Sequence, residues 1–193
     1  MKFFKSKDRP ISEQELVKGC IAGERALQRL LYDRYAATMN RVCLRYAGTT
    51  FEAEDLLHDA FMKVYTQLHT FKFDSPLEAW IRKIVVNTAL THYRKQSRRQ
   101  ELAPVDFSDS LNDLNVALEN ETAEDLLELV QRLPDKYRLV LNLHAVEGYS
   151  YKEISELLQQ PEATTRSQYM RARLLLQEII AKETATHEKR RNG

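Results

Sequence analysis

Arginine and small polar side chains are concentrated in one short segment of the chain, and their chemistry suits nucleic acid. Residues 163–177 contain three arginines and no Asp or Glu. Uncompensated positive charge favours phosphates, and polar side chains suit base edges. The side chains of this segment that we predict to reach DNA are Thr164, Thr165, Arg166, Ser167, Gln168, Arg171 and Arg173.

Two short helices joined by a tight turn are predicted to position that segment. Ser150 and Glu153 have the spacing of a capping box, which starts the first helix. Pro161 marks its end, because the residue before a proline is pushed out of the α region. Thr164 is predicted to open the second helix. This is the pattern of a helix-turn-helix, although an ordinary helical hairpin with a solvated basic face would share it.

A second basic segment precedes a long acidic one. Residues 81–100 contain Arg82, Lys83, Arg94, Lys95, Arg98 and Arg99 and no acid, whereas residues 101–131 contain nine acids and no Lys or Arg. The net charge of +1 hides this separation. A cationic surface can follow a released single strand of DNA. The acidic segment cannot bind nucleic acid by charge, so it is predicted to be a flexible linker; plain solvated disorder would explain its composition equally well.

Two carboxylates one helical turn apart, Asp55 and Asp59, form a third candidate site. Like charges at this spacing oppose helix stability slightly, by a few tenths of a kcal/mol. They could dock on a basic partner helix, or they could lie on an ordinary solvated face. A metal or acid–base site that includes His58 is disfavoured, because no other cluster completes a ligand set. We therefore predict no metal and no cofactor.

The composition predicts an all-α fold. Glycine and proline number five each, and no stretch alternates with a period of two, so strands have little support. We expect two small helical domains, the second ending in the helix-turn-helix. Cys20 and Cys43 lie in apolar helical contexts and are predicted to be buried, reduced thiols. No apolar run approaches the ~20 residues of a membrane span and no signal peptide is evident, so we expect a cytoplasmic chain without membrane insertion.

Three blocks of sequence carry a family resemblance. They are EDLLHDAFMKVY from residue 54, SPLEAWIRKIVVNTALTHYRK from residue 75, and LPDKYRLVLNLHAVEGYSYKEISELL from residue 133. Together they resemble the extracytoplasmic-function (ECF) group of the sigma-70 family of bacterial RNA polymerase sigma factors. The resemblance implies a non-enzymatic factor that binds core RNA polymerase, recognises promoter DNA at two elements and assists melting. It also implies an anti-sigma factor as a partner.

The resemblance implies a role for each block. It implies a domain of residues 10–98, an acidic flexible linker of residues 99–118, a second domain of residues 119–182 and a basic flexible tail of residues 183–193. The implied core-polymerase-binding residues are Asp55, Leu56, Asp59 and Phe61. The implied minus-ten contacts are Phe71, Lys72, Phe73, Asp74, Asn87, Arg82, Lys83, Arg94, Lys95 and Arg98. The arginine-rich helix would recognise the minus-thirty-five element.

Within the minus-ten group, two side chains have the chemistry of a pocket for a flipped-out base. Such a base needs an aromatic or apolar wall and polar groups for its exposed edge, and Phe71 and Asn87 supply these types. Trp80 could also stack on a base, but a lone Trp flanked by Ile81 and Ile84 is more often a core residue.

Several positions depart from the family pattern. His58 replaces a glutamine, Thr91 an aspartate, and Gln159 and Ala163 the glycines usual at the turn and at the start of the recognition helix. A left-handed backbone at Gln159 would cost roughly 1 kcal/mol relative to glycine.

Two other functions remain open on the sequence. A stand-alone helix-turn-helix regulator would bind a palindrome as a dimer, but it would leave the basic segment before residue 100 unexplained. An enzyme is disfavoured, because the five histidines are scattered and no nucleophile–base pair or phosphate loop is present. The polar linker permits both an open and a closed arrangement of the two domains, and we expect mobility between them.

Overall fold

The computed structural model describes residues 11–101 and 123–191 of the 193-residue chain, and the side chains of residues 11–97 and 127–183. These residues form helices and no strand, which confirms the all-α prediction. The helices are α1 (Glu13–Ile21), α2 (Arg25–Tyr46), α3 (Thr50–Gln67), α4 (Leu77–Glu101), α5 (Ala123–Gln131), α6 (Asp135–Leu141), α7 (Tyr151–Leu158) and α8 (Glu162–Arg191). A 3₁₀ turn, Leu68–Thr70, follows α3, and a π-helical turn, Asn142–Val146, follows α6.

Helices α1 to α4 form the N-terminal bundle. Ser12 caps α1 in a capping box with Glu15, and Thr49 caps α3 by accepting a hydrogen bond from the Glu52 N–H. The apolar stripes of the four helices meet in a common core whose largest fully buried side chains include Leu16, Leu31, Met39, Leu68 and Ile81. Cys20 and Cys43 are buried free thiols in this core, as predicted.

Helix α4 extends farther than the sequence pattern indicated. The sequence block from residue 75 predicts a helix that runs through Trp80 to about Arg94, whereas α4 continues to Glu101. No Gly or Pro lies between residues 77 and 101 to stop it, and basic side chains stabilise the negative end of a helix dipole. Helix α4 therefore continues past residue 98, the expected domain boundary. Most of the predicted linker, together with residues 119–122, lies outside the described residues.

Helices α5 to α8 form the C-terminal bundle, in which α7 and α8 are the two helices of the predicted helix-turn-helix. Leu133, Leu141 and Ala172 form its own small core. Other side chains of this bundle, Leu139, Val140, Leu143 and Ile154, belong instead to the buried cluster that α1 to α4 contribute to. The two bundles are therefore packed against each other in the structure.

Hydrogen bonds to backbone also join the bundles. The Asn142 side-chain amide donates to the Arg45 carbonyl at 2.6 Å, and that of Gln131 donates to the Leu44 carbonyl at 3.0 Å. Both carbonyls lie in the last turns of α2, where the last four helical carbonyls have no partner within their own helix. Side-chain amides of the C-terminal bundle thus donate hydrogen bonds to carbonyls that have no partner within α2.

Candidate nucleic-acid and polymerase-binding site

The turn between α7 and α8 is built as the sequence predicts. The Ser150 hydroxyl accepts from the Glu153 N–H at 3.2 Å, and the Glu153 carboxylate accepts from the Ser150 N–H at 2.8 Å. The Ser150 hydroxyl also donates to the Glu153 carboxylate at 2.7 Å, and this bond, followed by the one from the Ser150 N–H, lowers the pKa of Glu153. Gln159 ends α7 in the left-handed conformation, with φ 54° and ψ 43°. A non-glycine residue therefore occupies the backbone conformation that favours glycine.

Helix α8 begins two residues earlier than predicted. It starts at Glu162 rather than Thr164, because the Pro161 carbonyl already accepts from the N–H groups of Thr164 and Thr165, at 3.0 and 3.2 Å. Proline has no N–H of its own to satisfy, so it is well suited to a helix start.

The predicted minus-thirty-five side chains fall into three groups on α8. Arg166, Ser167, Arg171 and Arg173 are exposed, and Thr164 and Gln168 are partly buried. Thr165 is fully buried, and its hydroxyl accepts from the Gln160 side-chain amide at 2.9 Å. Its side chain therefore stabilises the turn from inside and does not lie on the surface with the others.

Gln160 connects the turn to the exposed face of α8. Besides donating to Thr165, its side-chain amide donates to Oε1 of the Gln168 side chain at 2.8 Å. Gln168 is thus restrained by a residue eight positions earlier in the chain. Gln160 was not among the residues that the sequence singled out.

An aromatic cluster lies beside the recognition helix. His144 stacks on Tyr151 with ring centroids 4.2 Å apart, and it meets Tyr169 edge-on at 4.6 Å. The His144 Nδ1–H donates to the Tyr149 carbonyl at 2.7 Å. Arg166 lies over the Tyr151 ring, with its guanidinium carbon 5.1 Å from the centroid. The cluster brings together the π-helical turn, α7 and α8.

The loop before α4 contains four of the predicted minus-ten residues, Phe71, Lys72, Phe73 and Asp74. Lys72, Phe73 and Asp74 are exposed, and so is Asn87 on α4. Phe71 is only 6% exposed, and its ring packs against those of Phe73 at 4.8 Å and Trp80 at 5.5 Å. In this arrangement the accessible aromatic ring beside the loop is Phe73, and Phe71 supports it from below. Trp80 is partly buried against the core, as its apolar neighbours indicated.

Phe73 has a left-handed backbone, with φ 60°. This conformation is unfavourable for a bulky residue and is found mostly where function or tertiary packing imposes it. No sequence pattern around residue 73 indicated it.

The predicted cations of α4 have two different environments. Lys83 and Lys95 are exposed, and the Arg98 side chain lies outside the described residues. Arg82 instead makes a bidentate ion pair with Glu147 of the C-terminal bundle, at 2.9 and 3.0 Å. Arg94 donates to the Leu157 carbonyl at the end of α7. Two candidate DNA-binding arginines are therefore engaged by the other bundle.

The two arginines beside Glu147, Arg82 and Arg45, have pKa values shifted in opposite directions. Glu147 is 9% exposed and also lies 3.9 Å from Arg45. The pKa of Arg82 is raised, chiefly by its hydrogen bond to Glu147. The pKa of Arg45 is lowered, chiefly by burial. Glu147 was not identified from sequence, because its partner Arg82 is 65 residues away along the chain.

The predicted polymerase-binding residues divide between the surface and the core of α3. Asp55 and Asp59 are exposed, whereas Leu56 and Phe61 are each 3% exposed and pack in the bundle core. His92 of α4 donates from Nε2 to the Asp59 carboxylate at 2.8 Å. The surface presented by this helix is therefore acidic. Among the residues that the structure describes, no group of three or more His, Cys, Asp or Glu side chains is arranged to hold a metal ion.

Comparison with known proteins identifies the family of this chain. The model for Sigma-70 region 2 matches residues 31–99, and that for Sigma-70, region 4 matches residues 123–176. Over 173 residues the chain is 30% identical to the RNA polymerase sigma-H factor of Pseudomonas aeruginosa, with 83% of this chain and 90% of that protein covered. The chain belongs to the sigma-70 family. It is a sigma factor that directs RNA polymerase to promoters, so core polymerase and promoter DNA are its partners.

Further relatives agree on the subgroup and the fold. The chain is 29% identical to the ECF RNA polymerase sigma-E factor of Escherichia coli over 175 residues, which covers 84% of this chain and 91% of that one. The sigma factor RpoE of Bartonella quintana, solved with the anti-sigma factor NepR, has a similar fold. Its TM-score is 0.50 at 22% identity, over 79% of this sigma factor and 96% of that chain. Within the part of the chain that the structure describes, no helix has both the length and the apolar character needed to cross a bilayer.

Proposed function

We propose that this sigma factor recognises the minus-thirty-five element with α8, contacts the minus-ten element with α4 and the loop before it, and docks on core polymerase through α3. The observation that carries the proposal is the orientation of α8. Arg166, Ser167, Arg171 and Arg173 are exposed, whereas Thr165 and Ala172 on the same helix are buried. This orientation leaves a cationic, hydrogen-bonding face free for the major groove.

For the minus-ten element, the loop and the first half of α4 would form the base pocket. Phe73 offers the exposed ring, Asn87 offers the amide, and Phe71 is the support behind the ring. Stacking on an aromatic ring and hydrogen bonds to the base edge are what an extruded base requires. Lys72 and Asp74 flank the ring in the same loop, and Lys83 and Lys95 would follow the released strand, which assists melting.

Arg82 and Arg94 can contribute to DNA binding only after they exchange partners. In the structure they bind Glu147 and the Leu157 carbonyl, so DNA phosphates would have to replace these acceptors. We therefore assign their DNA contacts, together with that of Arg98, to the polymerase-bound state. There the two promoter elements require the two bundles to occupy separate sites on the duplex.

For polymerase docking, Asp55 and Asp59 would pair with basic residues of the partner. Leu56 and Phe61 would act from inside, because their burial fixes the helix that carries the carboxylates. Charge complementarity of this kind speeds association and selects the correct partner. In the structure His92 binds the Asp59 carboxylate, which would then have to accept hydrogen bonds from both His92 and polymerase.

The proposal includes three further features: the absence of catalysis, the cellular compartment and an additional partner. The chain has no catalytic centre of its own, since polymerase performs the chemistry. It acts in the cytoplasm, where RNA polymerase transcribes. An anti-sigma factor is a further partner, by analogy with the Bartonella quintana protein, whose fold is similar and which was solved with one.

The docking assignment is tested by a pull-down of core RNA polymerase with the Asp55→Arg, Asp59→Arg double variant. A matched control is Asp33→Arg, Glu178→Arg, which changes the net charge equally at exposed positions outside α3. Stoichiometric capture by wild type and control but not by the double variant is expected. Equal capture of all three would remove α3 from the interface.

The DNA assignment is tested with Arg171→Ala in complex with core polymerase. The probe is a duplex selected by the wild-type holoenzyme from a random pool. Loss of one phosphate contact reduces the slope of log affinity against log salt concentration by about 1. An unchanged affinity and slope would remove Arg171 from the site.

A further inference from the structure

Arg166 of the recognition helix has two neighbours that limit where its guanidinium can point. Glu162, one turn earlier on α8, accepts from Arg166 Nη2 at 3.0 Å. The Tyr151 ring of α7 lies beneath the guanidinium carbon at 5.1 Å. The Arg166 side chain is nevertheless 61% exposed, so water reaches most of it. A side chain this exposed would ordinarily sample many rotamers.

Tyr151 is itself held from several directions. Its backbone is fixed as the first residue of α7 after the Ser150 cap. Its ring stacks on His144 with an interplanar angle of 25°, and it lies 5.7 Å from the Tyr169 ring. His144 is fixed in turn by the hydrogen bond from Nδ1 to the Tyr149 carbonyl. The ring beneath Arg166 is therefore a rigid platform.

We propose that Tyr151 is a positioning residue that pre-orders Arg166 for DNA. A guanidinium is attracted to the face of an aromatic ring, and this contact leaves available the in-plane N–H groups that do not bind Glu162. Those N–H groups are what a phosphate or a guanine edge accepts from. Ordering an arginine side chain on binding costs conformational entropy, and prior ordering removes part of that cost. Tyr151 thus increases promoter affinity without touching DNA.

This inference rests on the DNA-binding role proposed above for α8, and a double-mutant cycle separates the two. The variants are Tyr151→Leu, Arg166→Ala and the two combined, each assembled with core polymerase. The probe is the duplex selected by the wild-type holoenzyme. We expect Tyr151→Leu to weaken binding about two- to five-fold, the range of a cation–π contact at an exposed site. The same change should have no effect when Arg166 is already alanine.

Two further variants distinguish positioning from a general structural role. Tyr151→Phe keeps the ring and is expected to bind as wild type does. Tyr137→Leu removes another partly buried tyrosine of the C-terminal bundle and is expected to leave affinity unchanged. The thermal midpoint of each variant shows whether the fold is intact.

The cycle has outcomes that overturn each claim separately. If Tyr151→Leu weakens binding as much in the Arg166→Ala background as in wild type, the positioning role is wrong and the role of α8 stands. The same conclusion follows if Tyr151→Phe binds as poorly as Tyr151→Leu. If Tyr151→Leu leaves affinity unchanged, positioning is also wrong. If Arg166→Ala binds as tightly as wild type, both the positioning role and the proposed DNA contact of Arg166 are wrong.

Discussion

Gln159→Gly is expected to stabilise this sigma factor. Gln159 holds a left-handed conformation at the end of α7, its side chain is exposed, and the capping hydrogen bonds use only its backbone N–H. A left-handed backbone costs a non-glycine residue about 1–2 kcal/mol. Glycine cancels about 0.4–1 kcal/mol of the gain by giving the unfolded chain more freedom. The net gain is about 0.5–1 kcal/mol, which raises the melting midpoint by about 1–4 °C for a chain of this size.

The assay is thermal unfolding followed by circular dichroism, with two controls. Gln159→Ala keeps the Cβ atom, and hence the strain, so it should change stability little. Gly148→Ala should have the opposite sign: its φ is 78° and no atom lies within 4 Å of a Cβ there, so conformational strain alone opposes it. If Gln159→Gly is neutral or destabilising while Gly148→Ala is destabilising, left-handed strain does not control the stability of this turn.

The remaining predictions concern the contact between the bundles, the thiols and the helix cap. Glu147→Gln removes the charge from a buried acceptor of charge-assisted hydrogen bonds and should cost about 1.5–3 kcal/mol, seen as a lower urea midpoint; an unchanged midpoint would contradict this. Burial raises the pKa of Cys20 to about 11 and of Cys43 to about 12, so both thiols should react slowly with a thiol reagent near neutral pH and quickly in denaturant. Rapid reaction of the native chain would show that the core opens. Because hydrogen bonds from Ser150 lower the pKa of Glu153, its ionised form favours folding at neutral pH, and this contribution should be lost as pH falls through the folded-state pKa. Stability measured against pH should fall less steeply for Glu153→Gln, and identical curves would refute the argument.

Local patterns in the sequence predicted much of this architecture. The capping box of Ser150 and Glu153 depends on residues three apart, so spacing alone reveals it. Helical periodicity similarly accounts for the burial of Leu56 and Phe61 on the inner face of α3. The absence of acids in residues 163–177 directed attention to α8, whose DNA contacts stay a prediction.

Other features depend on contacts that no local pattern contains. Thr165 and Phe71 are polar and aromatic residues of types that also suit DNA, and only the packing around them shows that they are buried. The pairing of Arg82 with Glu147 depends on how two bundles meet. The sequence does not distinguish Tyr151 from other tyrosines at the edge of a core, because its contacts with the rings of His144 and Tyr169 depend on the packing of three elements.

The shared core of the two bundles has a consequence for how the chain folds. Ile154 belongs to the helix-turn-helix, yet it is fully buried in the cluster formed with α1 to α4. Each bundle therefore completes the other, and the chain should unfold in a single cooperative transition despite containing two sigma regions. A fragment cut within the linker would expose that apolar surface to water, and separately expressed halves would tend to aggregate. Only the full chain keeps this surface covered before polymerase binds.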